Sequence, residues 1–324
     1  MGDPTIRLTF RGGGWVLVMT GIVIMSLIVW AVAPAIFHLT NHAPGDNETI
    51  ESYEFDLSNL QLERSTVVPS MRHRNMVPVM INPIVLSPDV VQTLNAKQRN
   101  PFLVSRDLVV GITIGGETRA YPLHILHVHE IINDVLGGEA IAVLWHWPSG
   151  HIAVYSRVVG GEQLQFANSG LSGNGGLLMY GLREQVGGEQ LFAALLGNAV
   201  TGSPATLKVV PHDVLSWAAW HDMHPESTVV APDEQLKKRY RKANPELYFH
   251  TTTIHFPASP MPNDDINPKT LVIAIETGSG HAVFSIQSLL DRADDDGTVQ
   301  LQLDQTQVTV TVHNPPLFAT VRDE

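Results

Sequence analysis

Apolar residues fall into two patterns along this chain. From Trp15 to Phe37 they run without a single charge, and at ~1.5 Å rise per residue such a helix is long enough to cross a ~30 Å hydrocarbon layer. Beyond it the apolar runs are short and punctuated by glycine and proline. Alternation at L-V-V-G-I-T-I (108–114), A-I-A-V-L-W (140–145), I-A-V-Y-S-R-V-V (152–159) and Q-L-Q-F (163–166) predicts strands joined by tight turns, because side chains of an extended chain alternate between faces. One stretch follows a helical period instead. Ile125, Val128, Ile132, Val135 and Leu136 recur at three and four residues, Pro122 suits a first helical turn, and Gly137-Gly138 supplies a stop. An amphipathic helix is therefore expected over 122–136.

A similar succession returns near the C-terminus. Strands are predicted at 271–276 and 281–284 around a glycine turn at 278–280, then a short helix to about 291, then strands at 299–303 and 307–312. Ile112 aligns with Ile275, Tyr121 with Phe284, Leu123 with Ile286 and Leu126 with Leu289. The expected architecture is an α+β, strand-rich domain built from two β-β-α-β-β units, about 108–159 and 271–313, with P-A-S-P-M-P (257–262) connecting to the second. The organisation reads as a cytoplasmic N-terminus (1–14), a transmembrane helix (15–37), a polar tether (38–54) and an extracytoplasmic domain (55–324).

Charge fixes the orientation expected for that helix. Arg7 and Arg11 precede it, whereas Asp46, Glu48, Glu51, Glu54 and Asp56 all come before the next basic residue, Arg64. Cytoplasmic flanks carry the excess of Lys and Arg, so the expected location is the plasma (inner) membrane, with the large domain periplasmic or extracellular. A-V-A at 31–33 offers the competing reading of a cleaved signal peptide. With 20 Lys and Arg against 32 Asp and Glu, the formal net charge is −12, which argues against nucleic-acid partners. The one basic run, Lys237 to Lys242, reads as a solvated face. The chain has no cysteine and 15 histidines, so thiol chemistry is excluded and imidazoles become the candidate metal ligands.

Several segments carry more specific information. F-D-L-S-N-L (55–60), V-V-G-I-T-I-G-G-E-T-R-A-Y-P-L (109–123), H-E-I-I-N-D-V-L-G-G (129–138), N-S-G-L (168–171), L-L-M-Y (177–180) and W-A-A-W-H-D-M-H-P (217–225), in this order, resemble the bacterial and archaeal family called domain of unknown function 3179. The resemblance runs from about residue 55 to 315 and implies an exported domain with little stated chemistry. The departures matter more. Where the family typically carries C-P-L-C-G-T, this chain has H-W-P-S-G-H, so His146 and Ser149 occupy the cysteine positions. A usual Asp-Arg pair is Gly181-Leu182 here, and a Trp and Gln of the following helix correspond to Phe192 and Ala194. Any activity that depends on those residues is in doubt.

On a helix over 122–136, His129 and Asn133 would border the apolar stripe, and His124, His127, Glu130 and Asp134 would face the wetter side. His129, Glu130, Asn133 and Asp134 are the candidate ligand-binding residues. His146 and His151 flank a turn, and with His129 they would supply three imidazoles, a set suited to Zn or Cu. H-V-H-E is not H-E-x-x-H, no G-x-S-x-G surrounds Ser169 or Ser172, and the paired glycines lack a phosphate-loop context. Trp217 and Trp220 read as core. The leading expectation is a membrane-anchored accessory module that binds a metal ion or small ligand and leans towards being non-catalytic. The alternatives are a structural subunit with a membrane-complex partner and a divergent redox-type enzyme.

Overall fold

The computed structural model describes residues 14–40, 43–97, 101–182, 189–240, 246–249, 251, 253–261, 266–278, 280–313 and 318–323. It divides into two units, Met1–Pro44 and Gly45–Glu324. The first holds one helix, Gly14–Thr40, which runs past Pro34 rather than ending near it. Within it, Gly14–Val32 is long and apolar enough to cross a membrane.

In the second unit ordered packing starts inside the segment expected to be a tether. Asp46 accepts bonds from the Glu48 and Thr49 amides, both at 2.8 Å. The short helical turn Glu51–Tyr53 follows, and Ile50 and Tyr53 are buried against Val67, Leu171 and Leu178.

The core is built from three sheets. One, in spatial order, joins Asp213–Ser216, Leu108–Ile114, Glu117–Pro122, Thr228–Val230 and Val85–Leu86. A second joins Met80–Ile81, Ile131–Leu136, Glu139–His146 and His151–Ser156. A third joins Val67–Pro69, Phe166–Gly173, Gly176–Gly181, Leu191–Ala193 and Asn198–Ala199. The second sheet is covered on both faces. Ile132, Ile141 and Val143 pack with Val110, Ile112 and Tyr121 of the first. Ile131, Ala142 and Leu144 pack with Phe166, Met179 and Phe192 of the third. A strand buried on both sides needs apolar residues at consecutive positions, which is why A-I-A-V-L-W is almost unbroken.

The same double burial explains the main departure from expectation. The helix predicted over 122–136 ends after Leu123–His129, and Ile131–Leu136 is a strand. The coincidence of Ile125, Val128, Ile132 and Leu136 with a helical period arises because a helix and a two-sided strand each place apolar residues on the core in turn. Gly137-Gly138 is no helix stop. With φ of 54° and 81° it is a two-residue hairpin turn, of the kind whose twist matches the flanking strands. It joins Ile131–Leu136 to Glu139–His146 with Leu136 opposite Glu139.

Further along lie the hairpin Val272–Thr277 with Gly280–Ser285, the helix Ile286–Leu290 capped by Ser285, and a meander of Thr298–Leu303, Thr306–His313 and Phe318–Asp323. They enclose their own core of Ile275, Ile286, Leu289, Val299 and Val310. The molecule is mixed α+β and strand-rich. Phe192, assigned by resemblance to a helix, sits on the strand Leu191–Ala193.

Candidate functional site

The H-E-x-x-N-D stretch begins where the short helix ends. The Glu130 amide still closes the last turn on Leu126 O at 2.6 Å, but Glu130 has φ 55° and ψ −32°. Positive φ at a non-glycine residue costs of order 1 kcal/mol or more and persists only where the surroundings enforce it. That kink turns the chain from helix into strand. His129 and Asn133 are therefore not one helical turn apart, and Glu130 and Asp134 do not face solvent: their exposures are 3% and 4%.

Each of these polar side chains finds its partner inside the protein. His129 Nδ1 lies 2.6 Å from Pro78 O and Nε2 lies 2.7 Å from Tyr240 Oη. A carbonyl only accepts, so Nδ1 carries the proton and Nε2 accepts from the tyrosine. Burial lowers the imidazole's pKa, which favours this neutral form. Asn168 Nδ2 donates to Glu130 Oε2 at 2.5 Å, yet burial still pushes the carboxyl up to about 7. Asn133 donates to Phe166 O and accepts from Phe166 N, both at 2.8 Å, reproducing a strand ladder between the second and third sheets. Asp134 Oδ2 accepts from Arg119 Nη1 at 2.6 Å and Tyr121 Oη at 2.8 Å. R-A-Y, H-E-x-x-N-D and N-S-G-L thus meet in one interior network that ties the sheets together.

Two arginines in this interior escaped the sequence reading. Arg157, 1% exposed, donates to the carbonyls of Ile141, Leu164 and Asp134. Arg74 pairs with Glu189 at 3.1 Å, both side chains 3% exposed, and lies 3.5 Å over the Phe55 ring. No periodicity marks a lone arginine as buried, since its partners are backbone groups or a residue more than a hundred positions away.

The H-W-P-S-G-H segment is a hairpin end, with His146 directly opposite His151 and a helical turn Trp147–Ser149 between them. His146 Nδ1 lies 2.8 Å from Ser149 Oγ, and its ring stacks on Phe256 at 6.4 Å. Burial, with His151 beside it, lowers His146 to about 3. Burial, with His212 nearby, lowers His151 to about 4. Both are neutral imidazoles at pH 7. His129 does not join them, since both its nitrogens are committed to Pro78 and Tyr240. Among the described residues, no group of three His, Cys, Asp or Glu is arranged to hold a metal ion, so the Zn or Cu site expected at His129, His146 and His151 is not assembled.

Above this turn lies an open crevice of about 250 Å³, lined by Ser149, Asn174, Tyr248, Phe249, Phe256 and Lys269 among others. Trp147 meets Tyr248 edge-on at 5.3 Å and His255 at 5.9 Å. Lys269 Nζ sits 3.5 Å over the Tyr248 ring and donates to Tyr248 O at 2.6 Å and Thr251 Oγ1 at 2.9 Å. The turn was visible in the sequence. The wall formed by Tyr248, Phe249, Phe256 and Lys269 was not, because no local pattern ties these residues to a turn about a hundred positions earlier.

An apolar helix followed by a strand-rich α+β domain, its sheets tied by an interior network of sequence motifs, defines the class. Over residues 80–321 the chain matches the family model described as "Protein of unknown function (DUF3179)", and it belongs to that family. No curated protein and no solved structure matches it.

Proposed function

We propose that the protein is a membrane-anchored accessory module that holds a small ligand, an apolar or aromatic molecule with an anionic end, in the crevice beside the Trp147–Ser149 turn. The crevice carries this reading: it places Tyr248, Phe249 and Phe256 beside an ammonium, that of Lys269. An ammonium has three donors, and Lys269 gives two to Tyr248 O and Thr251 Oγ1, which leaves one for a carboxylate or sulfonate. A concave site with an aromatic lining and few placed polar groups is the usual form of a small-molecule site. The residues of the H-E-x-x-N-D stretch act in this reading as the frame behind the site. The lack of cysteine at His146 and Ser149 removes thiol redox chemistry from this turn and sets a redox enzyme below a binding module.

The test is titration of the full chain with 8-anilinonaphthalene-1-sulfonate, an aromatic anion whose fluorescence rises on apolar contact. One saturable site is expected, lost in Thr270→Trp, which fills the crevice from its rim, and weakened in Lys269→Gln. Undiminished binding by a Thr270→Trp protein of unchanged melting temperature would refute the assignment.

In this reading the domain lies outside the cytoplasm, supported by Arg7 and Arg11 before the helix and Asp46, Glu48 and Glu51 after it. Residues 108–159 and 271–313 are also read as related units. Support comes from the shared order of hairpin, helix and meander, and from Tyr121 and Phe284, each the fifth residue of its strand, followed by a helix that begins at Leu123 or Ile286.

A further inference from the structure

A second concavity, of about 560 Å³, shares no described lining residue with the crevice at the Trp147–Ser149 turn and lies between the helix Pro88–Lys97, the loop 101–105 and the helix Trp217–Met223. Its walls are fixed before any ligand arrives. Asn95 clamps the loop by donating to Leu103 O at 2.6 Å and accepting from Phe102 N at 2.7 Å. Asp107 Oδ2 accepts from Val104 N at 2.8 Å. The Trp217 amide donates to Asp107 O at 2.7 Å and the Ala218 amide to Ser105 O at 3.0 Å, which pins the loop to the second helix. Val91 and Leu103, 2% and 1% exposed, form the apolar floor.

The lining chemistry is selective. Trp217 and His221, one turn apart, present rings 5.1 Å between centroids and tilted by 56°. Asp89 is the only formal charge among the described lining residues, and within the described residues no ion pair involves it. An indole face attracts cations through its quadrupole, and aromatic rings set at an angle are how quaternary ammonium groups are recognised. A carboxylate across the groove completes the complement, in a chain of net charge −12 that attracts cations at longer range.

We propose that this groove binds an organic cation, a quaternary or protonated amine, with Trp217 as the platform, His221 as the second wall and Asp89 as the counter-charge. The volume falls in the range of small-molecule sites. Asp89 and Gln92, both exposed on the first helix, are available to a ligand without any rearrangement of the fold.

The experiment is calorimetric titration of the full chain, in an uncharged polyoxyethylene detergent, with choline and separately with its neutral isostere 3,3-dimethylbutan-1-ol. Choline is expected to saturate one site that the isostere does not occupy. Asp89→Asn, a change at an exposed position, is expected to weaken choline at least tenfold, and Trp217→Leu to abolish its binding. The anilinonaphthalene sulfonate titration is expected to be unchanged in both variants. Equal binding of the isostere, an unaffected Asp89→Asn protein, no binding of choline, or saturation by maltose instead of choline would each overturn the proposal.

Discussion

Asn168 gives its side-chain amide to Oε2 of Glu130 at 2.5 Å, and that single bond joins the end of a helix to a strand of a different sheet. Glu130 is buried, holds a left-handed backbone angle and has its carboxyl raised to about 7. The residue therefore links backbone strain, protonation and sheet packing.

Stability should fall as pH rises between about 4.5 and about 7 on account of this group. A carboxyl with a raised native pKa is protonated in the fold when the unfolded chain has already lost its proton. Its contribution is complete below 4.5 and lost by about 7, on the order of 3 kcal/mol at ~1.4 kcal/mol per pKa unit. Glu130→Gln keeps an acceptor for Asn168 and is expected to flatten this part of the curve, measured by urea unfolding across the range.

The histidine pair works in the opposite sense. His146 and His151 stay neutral in the fold down to about 3 and about 4, whereas unfolded imidazoles take up protons below 6.5. Stability from this pair is present above 6.5 and lost as pH falls through that window. His151→Asn should remove part of the acid loss while leaving the Glu130 slope intact. An unchanged acid limb in the same denaturation series would refute the placement of these rings.

Asp134→Ala should cost about 3 kcal/mol, because Arg119, 11% exposed, would lose its short, buried carboxylate partner and keep only the exposed Glu117 at 4.0 Å. Tyr121→Phe removes one bond to the same buried carboxylate but leaves the Arg119 pair, and should cost about 1.5 to 2 kcal/mol. The order of the two losses in chemical denaturation is the diagnostic.

Asn133→Ala should cost roughly 2 to 4 kcal/mol, since it strands both the amide and the carbonyl of Phe166 in the interior. Hydrogen exchange at the Phe166 amide should accelerate in the variant by more than global destabilisation alone accounts for.

For the anchor, a reporter fused after Glu324 is expected to be active only on the outer side of the membrane. N-terminal sequencing of the mature protein is expected to retain Trp15 to Phe37. A cytoplasmic reporter signal, or a mature chain beginning near Ala35, would refute the orientation or the anchor respectively.

Sequence alone determined the features that depend on short-range periodicity. The charge-free run from Trp15 onwards can satisfy its backbone in an apolar phase only as a helix, and Gly14–Thr40 is one. The strands read at 108–114, at 140–145 and in the first part of 152–159, the hairpin and helix after 271, and the first two strands of the meander that follows were legible because short apolar runs and glycine turns are local signals, whereas the third strand, Phe318–Asp323, was not read. Residues 122–136 were not. A helical period and a strand buried on both faces give the same letters over six residues, and only the pairing of Ile131–Leu136 with Glu139–His146 decides between them. The same holds for the site. H-E-x-x-N-D could be recognised as a motif, but whether Glu130 meets solvent or Asn168 depends on a strand 38 positions away. Long-range contacts of this kind are set by how sheets stack, and sheet stacking is decided by the area the whole core removes from water rather than by any one segment.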